Sequence, residues 1–187
     1  MPDQTRPKHK NLLTYWNSLL IYDLTVEFCK RWVRSYKLSE QMTGAARSTK
    51  QNIVEGREVQ DTSLKSAIKL TNVAKASIEE LLADYDDFIH QNKLILWQKT
   101  DPRVISLRKK TADIVGSLCR LGGLSGTYPL SLPQNAEEAA NLLATLCHQA
   151  SFMLQNQVKA LEEKHLKEGG YTEKLYRKRV EYRARKA

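Results

Sequence analysis

The stretch "AARSTKQNIVEGRE", residues 45–58, decides the fold prediction because it fits a helix and yet mixes polar with apolar residues on one face. Ser48, Asn52 and Glu55 recur at intervals of three and four residues, the spacing of side chains that share a helix face. Ala45 and Ile53 fall on that face too, so we expect it to be turned toward another helix. Polar groups buried in this way are normally paired, and they can serve chemistry, a partner or the register of helix packing.

The composition favours a helical globular protein. The chain has 187 residues, of which 41% are hydrophobic and 27% charged, with only eight glycines and five prolines. The long runs between them are rich in leucine, alanine, glutamate, lysine and glutamine, which favour helix. This length is enough for one good-sized domain, or for a domain with an appendage.

Four amphipathic segments between residues 12 and 121 are joined by short connections, a pattern typical of an up-down four-helix bundle. We expect a cap at Ser39 for the second helix, and at Asp61 or Thr62 for the third. Gly56 is expected either to end the second helix or to allow a close helix contact. The fourth helix is expected over 100–123, with a proline in its first turn and two glycines as its stop.

Glycine, serine and proline cluster after these helices, in "GGLSGTYPLSLPQN". This composition indicates a linker, and a fifth helix is predicted behind it over 136–168, ended by two glycines. The predicted organisation of this all-α protein is a basic N-terminal tail (1–11), the four-helix bundle (12–121), the linker (122–135), and a helical C-terminal extension (136–187) that ends in a basic helix.

Positive charge is concentrated at the two ends of the chain. Of the net charge of +9, residues 1–10 carry +2 and residues 171–187 carry +5, so the other 160 residues carry only +2. Basic ends on a nearly neutral body indicate an anionic partner for the ends.

The last segment, "YTEKLYRKRVEYRARK", interleaves tyrosines with lysines and arginines. Such cations neutralise phosphates, and tyrosine rings stack on unpaired bases, so the pattern favours RNA or another nucleic acid. The alternative is a solvated helix end whose Tyr171, Leu175 and Tyr182 pack on the bundle; a broad apolar face for a membrane is missing. A second basic stripe at 30–37 is weaker, because cations also suit the end of a helix. The residues expected to contact nucleic acid are Lys174, Arg177, Lys178, Arg179, Arg183, Arg185 and Tyr176.

Two carboxylate–histidine pairs are the best candidates for catalysis. Asp87 with His90, and Glu162 with His165, have the i, i+3 spacing of di-iron bundles. Both pairs lie in polar surroundings near predicted helix ends, where a histidine gains from the helix dipole without binding anything. No nucleotide-binding or hydrolase motif occurs, and we expect no catalytic site, no metal and no cofactor.

The three cysteines lie in apolar contexts without a CxxC pair, which favours buried thiols in a reducing compartment. Cys147 and His148 are neighbours, but adjacent residues point about 100° apart on a helix and share no proton easily. The basic amino end resembles the start of a signal peptide, yet polar residues interrupt its apolar part and no cleavage site follows. We therefore expect a cytoplasmic protein.

Residues 36–58 and 64–89 together resemble the bacterial four-helix-bundle family encoded within intervening sequences of large-subunit ribosomal RNA genes. The family pattern is Leu-x-x-Gln-x-x-x-Ala-Ala-x-Ser-x-x-x-Asn-Ile-x-Glu-Gly, followed by Ala-x-x-Ser-x-x-Glu-Leu. The chain departs from it at Ala76, where a glycine is common. The matching positions are Leu38, Gln41, Ala45, Ala46, Ser48, Asn52, Ile53, Glu55, Gly56, Ala74, Ser77, Glu80 and Leu81.

This resemblance covers residues 12–121, and the rest looks like the suffix found on part of that family. It implies a bundle that assembles into a homo-oligomer, a pentamer in relatives, without an established catalytic site. One branch, the accessory protein of diversity-generating retroelements, binds a reverse transcriptase and RNA. RNA is therefore the expected partner, and the alternative is an adaptor that docks a protein such as a reverse transcriptase through the apolar face of 136–168, without touching nucleic acid.

The polar row then has a structural interpretation: a paired network between the second and third helices that fixes their register. A subunit interface or a ligand site is the alternative. The predicted members of the network are Gln41, Ser48, Asn52, Glu55, Ser77 and Glu80.

Overall fold

The computed structural model of the protein describes residues 6–123 and 130–185, and every regular element in these ranges is helical. Residues 1–5, 124–129 and 186–187, which include parts of the predicted tail and linker, lie outside the described residues. The all-α prediction is confirmed for the described ranges. After a 3₁₀ turn at Lys8–Asn11, the helices are α1 (Leu13–Trp32), α2 (Tyr36–Val59), α3 (Leu64–Gln91), α4 (Pro102–Leu121), α5 (Ala136–Glu168) and α6 (Tyr171–Ala184).

The starts of α2 and α3 differ from the prediction. Ser35 caps α2, since its side chain accepts the N–H of Leu38 at 3.3 Å, and Ser39 lies inside the helix. Ser63 caps α3 by accepting the N–H of Ser66 at 3.1 Å, in place of Asp61 or Thr62. Each turn offers several side chains that are able to cap, so propensity alone does not select among them.

The ends of α4 and α5 are as predicted. Asp101 accepts the N–H of Arg103 at 2.8 Å ahead of the proline at 102, and Gly122 closes α4 with a left-handed φ of +82°. Asn135 caps α5 through the N–H groups of residues 137 and 138, and Gly169 follows its last turn.

One apolar core is shared by α1, α2, α3 and α5. Phe28 of α1 lies edge-on to Tyr85 and Phe88 of α3, with ring centroids 5.2 and 4.9 Å apart. The hydroxyl of Tyr85 is paired with that of Thr25 at 2.8 Å, which satisfies a polar group at the centre of the core. In α5, residues 139–147 are buried without interruption, so this helix is surrounded by other parts of the chain.

Contacts between side chains give the helix directions. Gly56 lies against Ala67, near the start of α3, and Ser48, earlier in α2, meets Ser77, further along α3, so α2 and α3 run antiparallel. Lys75 donates to Gln155 at 2.6 Å, and residue 151 meets residue 79, so α3 and α5 are antiparallel as well.

α4 contributes fewer buried residues to the core than α5 does. It packs on α1 and α5, chiefly through Val115 and Leu118 against Trp16 and Leu20, and makes little or no contact with α3. The predicted up-down bundle of 12–121 is therefore not confirmed, because α5 shares the core and packs on α3. The physical reason is burial: α5 buries residues 139–147 without interruption, and α4 buries only residues 104, 111, 115 and 118.

None of the described helices combines the length and the apolar character that crossing a membrane requires.

Candidate nucleic-acid interface

A turn at Gly169 and Gly170 separates α6 from α5. Gly169 has a φ of +70°, and a Cβ at this position would collide with the carboxylate of Glu173, so the turn depends on glycine. That carboxylate accepts the N–H of Gly170 at 2.8 Å and caps the new helix. α6 buries no side chain and therefore contributes little to the apolar core.

Two of the predicted nucleic-acid contacts hold α6 to the end of α5. Lys174 forms an ion pair with the Glu168 carboxylate, and Arg177 donates to the Glu168 carbonyl at 2.6 Å. The hydrogen bond from Lys174 lowers the pKa of Glu168. These two cations have partners in the chain already, and so they are less available for phosphate.

The other four predicted cations, Lys178, Arg179, Arg183 and Arg185, are exposed and have no acidic partner among the described residues. Tyr176 is 70% exposed. The alternative in which tyrosines and a leucine of this helix pack on the bundle is not observed, because residues 171, 175 and 182 are exposed. α6 thus presents cations and an aromatic ring to the surroundings.

The basic amino end lies at the same end of the molecule. Lys8 forms an ion pair with Asp61, in the turn between α2 and α3, and His9 lies 3.6 Å from the Glu58 carboxylate. The hydrogen bond from Lys8 lowers the pKa of Asp61, and Lys164 near the end of α5 adds to this effect. The two basic segments of the sequence therefore converge where α6 begins.

Arg6 is used inside the molecule. Its guanidinium donates to the carbonyls of Lys10 and Cys119, the latter at 2.9 Å, in the last turn of α4. A cation at this place suits the negative end of the helix dipole. The charge of the amino end is therefore only partly free for a partner.

The second basic stripe lies at the opposite end of the core. Arg31 forms an ion pair with Glu27 and contacts the Pro133 carbonyl at 3.4 Å, just ahead of α5. Lys30, Arg34 and Lys37 are exposed there. A single ligand would have to span the whole bundle to touch both this stripe and α6.

Half of the predicted polar network is brought together. The hydroxyls of Ser48 and Ser77 are 3.0 Å apart between α2 and α3, and Asn52 donates to the Ser48 hydroxyl at 3.2 Å and to its carbonyl at 2.9 Å. These three side chains are half-buried rather than buried, because the face that α2 turns inward carries residues 42, 45, 46, 49, 53 and 56. The other predicted members are exposed: Gln41, Glu55 and Glu80.

Gly56 is buried against α3, but the contact leaves room for a side-chain Cβ and so does not depend on a glycine. A Cβ here would lie 3.4 Å from the Cβ of Leu70 and 3.6 Å from the Ala67 carbonyl, which is ordinary contact. The role as a helix end is excluded, since α2 continues to Val59.

The carboxylate–histidine pairs lie apart. Asp87 and His90 are exposed near the carboxyl end of α3, whereas Glu162 and His165 lie near the carboxyl end of the antiparallel α5, at the other end of the bundle. Within residues 6–123 and 130–185, no three histidine, cysteine or acidic side chains are grouped as a metal site requires.

Two of the three cysteines are buried, as predicted. Burial raises the pKa of the Cys29 thiol to about 11 and that of Cys147 well above its usual range, so both are protonated at neutral pH. Cys119 is partly exposed.

Sequence reasoning missed a polar contact at the start of α5. The buried Asn141 accepts the N–H of Trp97 at 2.8 Å and donates to the Ile95 carbonyl at 2.9 Å, while Glu137 accepts the N–H of Ile95 and the indole N–H of Trp97. These bonds attach the segment between α3 and α4 to α5. An asparagine within the apolar run 139–147 was the available signal, since a polar residue there needs partners.

The comparisons with protein-family models, with curated proteins and with solved structures find no match to this chain. The resemblance of residues 36–89 to the intervening-sequence family therefore stays a prediction. The charge and the exposure of α6 are the features of the molecule that bear on its function.

Proposed function

We propose that this chain is a non-enzymatic helical-bundle protein that binds RNA through α6. The observation that carries the proposal is a helix with four exposed cations that have no acidic partner among the described residues. The resemblance adds two proposals, an up-down bundle arrangement and assembly into a homo-oligomer such as a pentamer.

The spacing on α6 suits a phosphate backbone. Arg179 and Arg183 are one turn apart, and Tyr176 precedes Arg179 by three residues, so these three side chains lie on one side of the helix. Lys178 and Arg185 are seven residues apart and share another side. Arginines on two sides of a helix contact phosphates, and the exposed tyrosine ring offers a surface for an unpaired base.

The test is filter binding of a single-stranded and a structured RNA at several salt concentrations. The variant carries Lys178→Gln, Arg179→Gln, Arg183→Gln and Arg185→Gln together. Each phosphate contact adds about 0.7 to the slope of log affinity against log salt for a single strand. We expect the variant to bind far more weakly, and its salt slope to fall by roughly 3 if all four cations contact phosphates.

A matched control removes four exposed cations elsewhere: Lys30→Gln, Arg34→Gln, Lys37→Gln and Lys110→Gln. It has the same net charge as the α6 variant, so equal weakening by both would indicate non-specific attraction and overturn the role of α6. A chain that ends at Gly170 should behave like the α6 variant, since α6 buries no side chain. If even the full chain fails to bind either RNA at low salt, the RNA proposal is wrong.

The adaptor alternative depends on an exposed apolar face along residues 136–168. The apolar face of 136–168 is occupied within the chain, because residues 139–147, 150, 154, 158 and 161 are buried in the core. An adaptor would have to use another surface, and a partner complex that persists at high salt would be its signature.

A further inference from the structure

Three apolar side chains of α6 lie between its two pairs of exposed cations. Successive residues of a helix are about 100° apart, so Lys178 and Arg185 share one side of α6. Arg179 and Arg183 share a second side, about 130° around the helix from the first. The residues that lie between these two edges form the apolar strip: Tyr171, Leu175 and Tyr182.

The apolar strip is open to the surroundings. Tyr171 is 51% exposed, Leu175 38% and Tyr182 60%. Since α6 buries no side chain, the bundle does not cover the strip. Large apolar side chains that share one side of an exposed helix and are flanked by charged residues are typical of an interaction surface.

α6 is attached to the rest of the molecule by another side. Lys174 pairs with the Glu168 carboxylate, and Arg177 donates to the Glu168 carbonyl. Both of these cations lie outside the sector that contains the apolar strip and its two edges. A partner can therefore occupy this sector without displacing the contacts that hold α6 to α5.

The charge of this sector is positive throughout. The two acidic residues of α6, Glu173 and Glu181, both lie on the rest of its circumference. An apolar strip between two edges of cations matches a groove of a nucleic acid, where the base edges lie between two phosphate backbones. A single strand has only one backbone and would leave one edge of cations without a phosphate.

The width of α6 selects the kind of groove. An α-helix with its side chains is about 10–12 Å across, and the major groove of fully paired RNA is deep and narrow. A bulge or an internal loop interrupts the pairing, which opens the groove and makes unpaired bases accessible to aromatic rings. An RNA stem with such an interruption therefore accepts α6, whereas a continuous stem excludes it.

We propose that α6 binds the groove of a structured RNA at a bulge or internal loop. The apolar strip lies against the unpaired bases, and each edge of cations contacts one phosphate backbone. This inference rests on the proposed binding of RNA by α6 and names the kind of RNA that α6 takes.

Three RNAs test the inference with the full chain, by filter binding at several salt concentrations. They are a hairpin with a bulge in its stem, the same hairpin with a continuous stem, and an unstructured single strand of similar length. We expect the bulged hairpin to bind roughly tenfold more tightly than either of the others, which is the effect of about one base stacked on an aromatic ring.

Two variants remove one edge of cations each. They are Lys178→Gln with Arg185→Gln, and Arg179→Gln with Arg183→Gln. Each phosphate contact in a duplex adds about 0.9 to the salt slope, so each variant should lower the slope for the bulged hairpin by roughly 2. The matched control removes two exposed cations at the other end of the bundle and should leave the slope unchanged: Arg34→Gln with Lys37→Gln.

A third variant, Leu175→Ala with Tyr182→Ala, removes most of the apolar strip and keeps every cation. It should lose the preference for the bulged hairpin and bind the continuous hairpin as the parent does. Because α6 buries no side chain and alanine favours helix, the variant should keep the helix content of the parent, which circular dichroism measures.

The inference is overturned, while RNA binding by α6 stands, if the single strand or the continuous hairpin binds as tightly as the bulged one, or if only one edge contributes to the salt slope. If none of the three RNAs binds at low salt, the proposed function fails and this inference fails with it. Vesicles that contain phosphatidylserine are the last probe, because a basic helix with exposed apolar residues also suits an anionic membrane. If the third variant loses binding to the vesicles and keeps the preference for the bulge, the strip contacts lipid and the inference is wrong.

Discussion

At the scale of the residue, the hydroxyl pair between α2 and α3 is a hydrogen bond at the boundary of the core. Ser77→Ala should destabilise the protein by about 0.5–1.5 kcal/mol, because the bond is lost and the Ser48 hydroxyl keeps only Asn52 as a partner. A double-mutant cycle of Ser48→Ala and Ser77→Ala in urea unfolding measures the coupling between the two hydroxyls.

The exposed members of the predicted network serve as controls for this cycle. Glu55→Ala and Glu80→Ala should each change the free energy of unfolding by less than about 0.5 kcal/mol, as surface substitutions do. A large effect at either glutamate, or no coupling between the serines, would contradict a network limited to Ser48, Asn52 and Ser77. Either result would favour an interface role for the predicted polar residues.

Asp84 predicts a pH dependence of stability. Its Oδ2 is buried without a partner among the described residues, and burial, with Glu80 and Asp87 nearby, raises its pKa above the usual 3.8. A raised pKa of an acid in the folded state means that the charged form is disfavoured there, so stability is lost as pH rises through that pKa. Asp84→Asn should therefore unfold at higher urea than the parent at pH 7.

This advantage of Asp84→Asn should shrink toward zero as the pH is lowered below 3.8, where the aspartate is protonated in both the folded and the unfolded states. Asp113→Asn, on the exposed side of α4, is the matched control and should show no such trend. An advantage that is independent of pH would mean that the amide acts through something other than charge.

At the scale of the element, the ends of α5 were predicted correctly, whereas the sequence left open whether this helix packs on the preceding ones. Its ends depend on the local sequence, since Asn135 caps the first turn and Gly169 follows the last turn. Its position against α3 depends on contacts between distant parts of the chain, which helical periodicity does not report. The unbroken burial of 139–147 places this half of the helix at the centre of the core, although two of the buried side chains, Asn141 and Thr145, are polar.

The candidate nucleic-acid interface likewise combines features that the sequence predicts with contacts that it does not. The charge of α6 could be predicted from the sequence, and its exposure agrees with that prediction. The ion pair between Lys174 and Glu168 could not, since it depends on the direction in which α6 leaves the glycine turn.

Asn141 tests how α5 holds the connection between α3 and α4. Asn141→Ala leaves the N–H of Trp97 and the carbonyl of Ile95 without their partners, which should cost about 1–3 kcal/mol. Hydrogen exchange of the Trp97 amide should accelerate more than that of amides in the core of α3. Asn156→Ala, on the exposed side of the same helix, should alter neither measurement.

At the scale of the whole molecule, the shared core predicts that residues 1–121 do not fold alone. Leu142, Leu143, Leu146 and Leu154 of α5 are fully buried against the first three helices, and each contributes roughly 1.5–3 kcal/mol by leaving water. The loss of these four side chains alone approaches the whole stability of a typical domain, about 5–15 kcal/mol. A chain that ends at Leu121 should therefore show no cooperative thermal transition, poor dispersion of its amide resonances and exposed apolar surface.

A chain that ends at Gly170 is the matched comparison, because it loses only α6, which buries no side chain. Its unfolding midpoint should stay within a few degrees of that of the full chain, since a change of 1 kcal/mol shifts the midpoint by about 2–4 °C at this size. If instead residues 1–121 unfold cooperatively with native helix content, the first four helices form a domain of their own, and the contacts of α5 are an addition to a bundle that is already complete. Circular dichroism of the two truncated chains against temperature separates these outcomes directly.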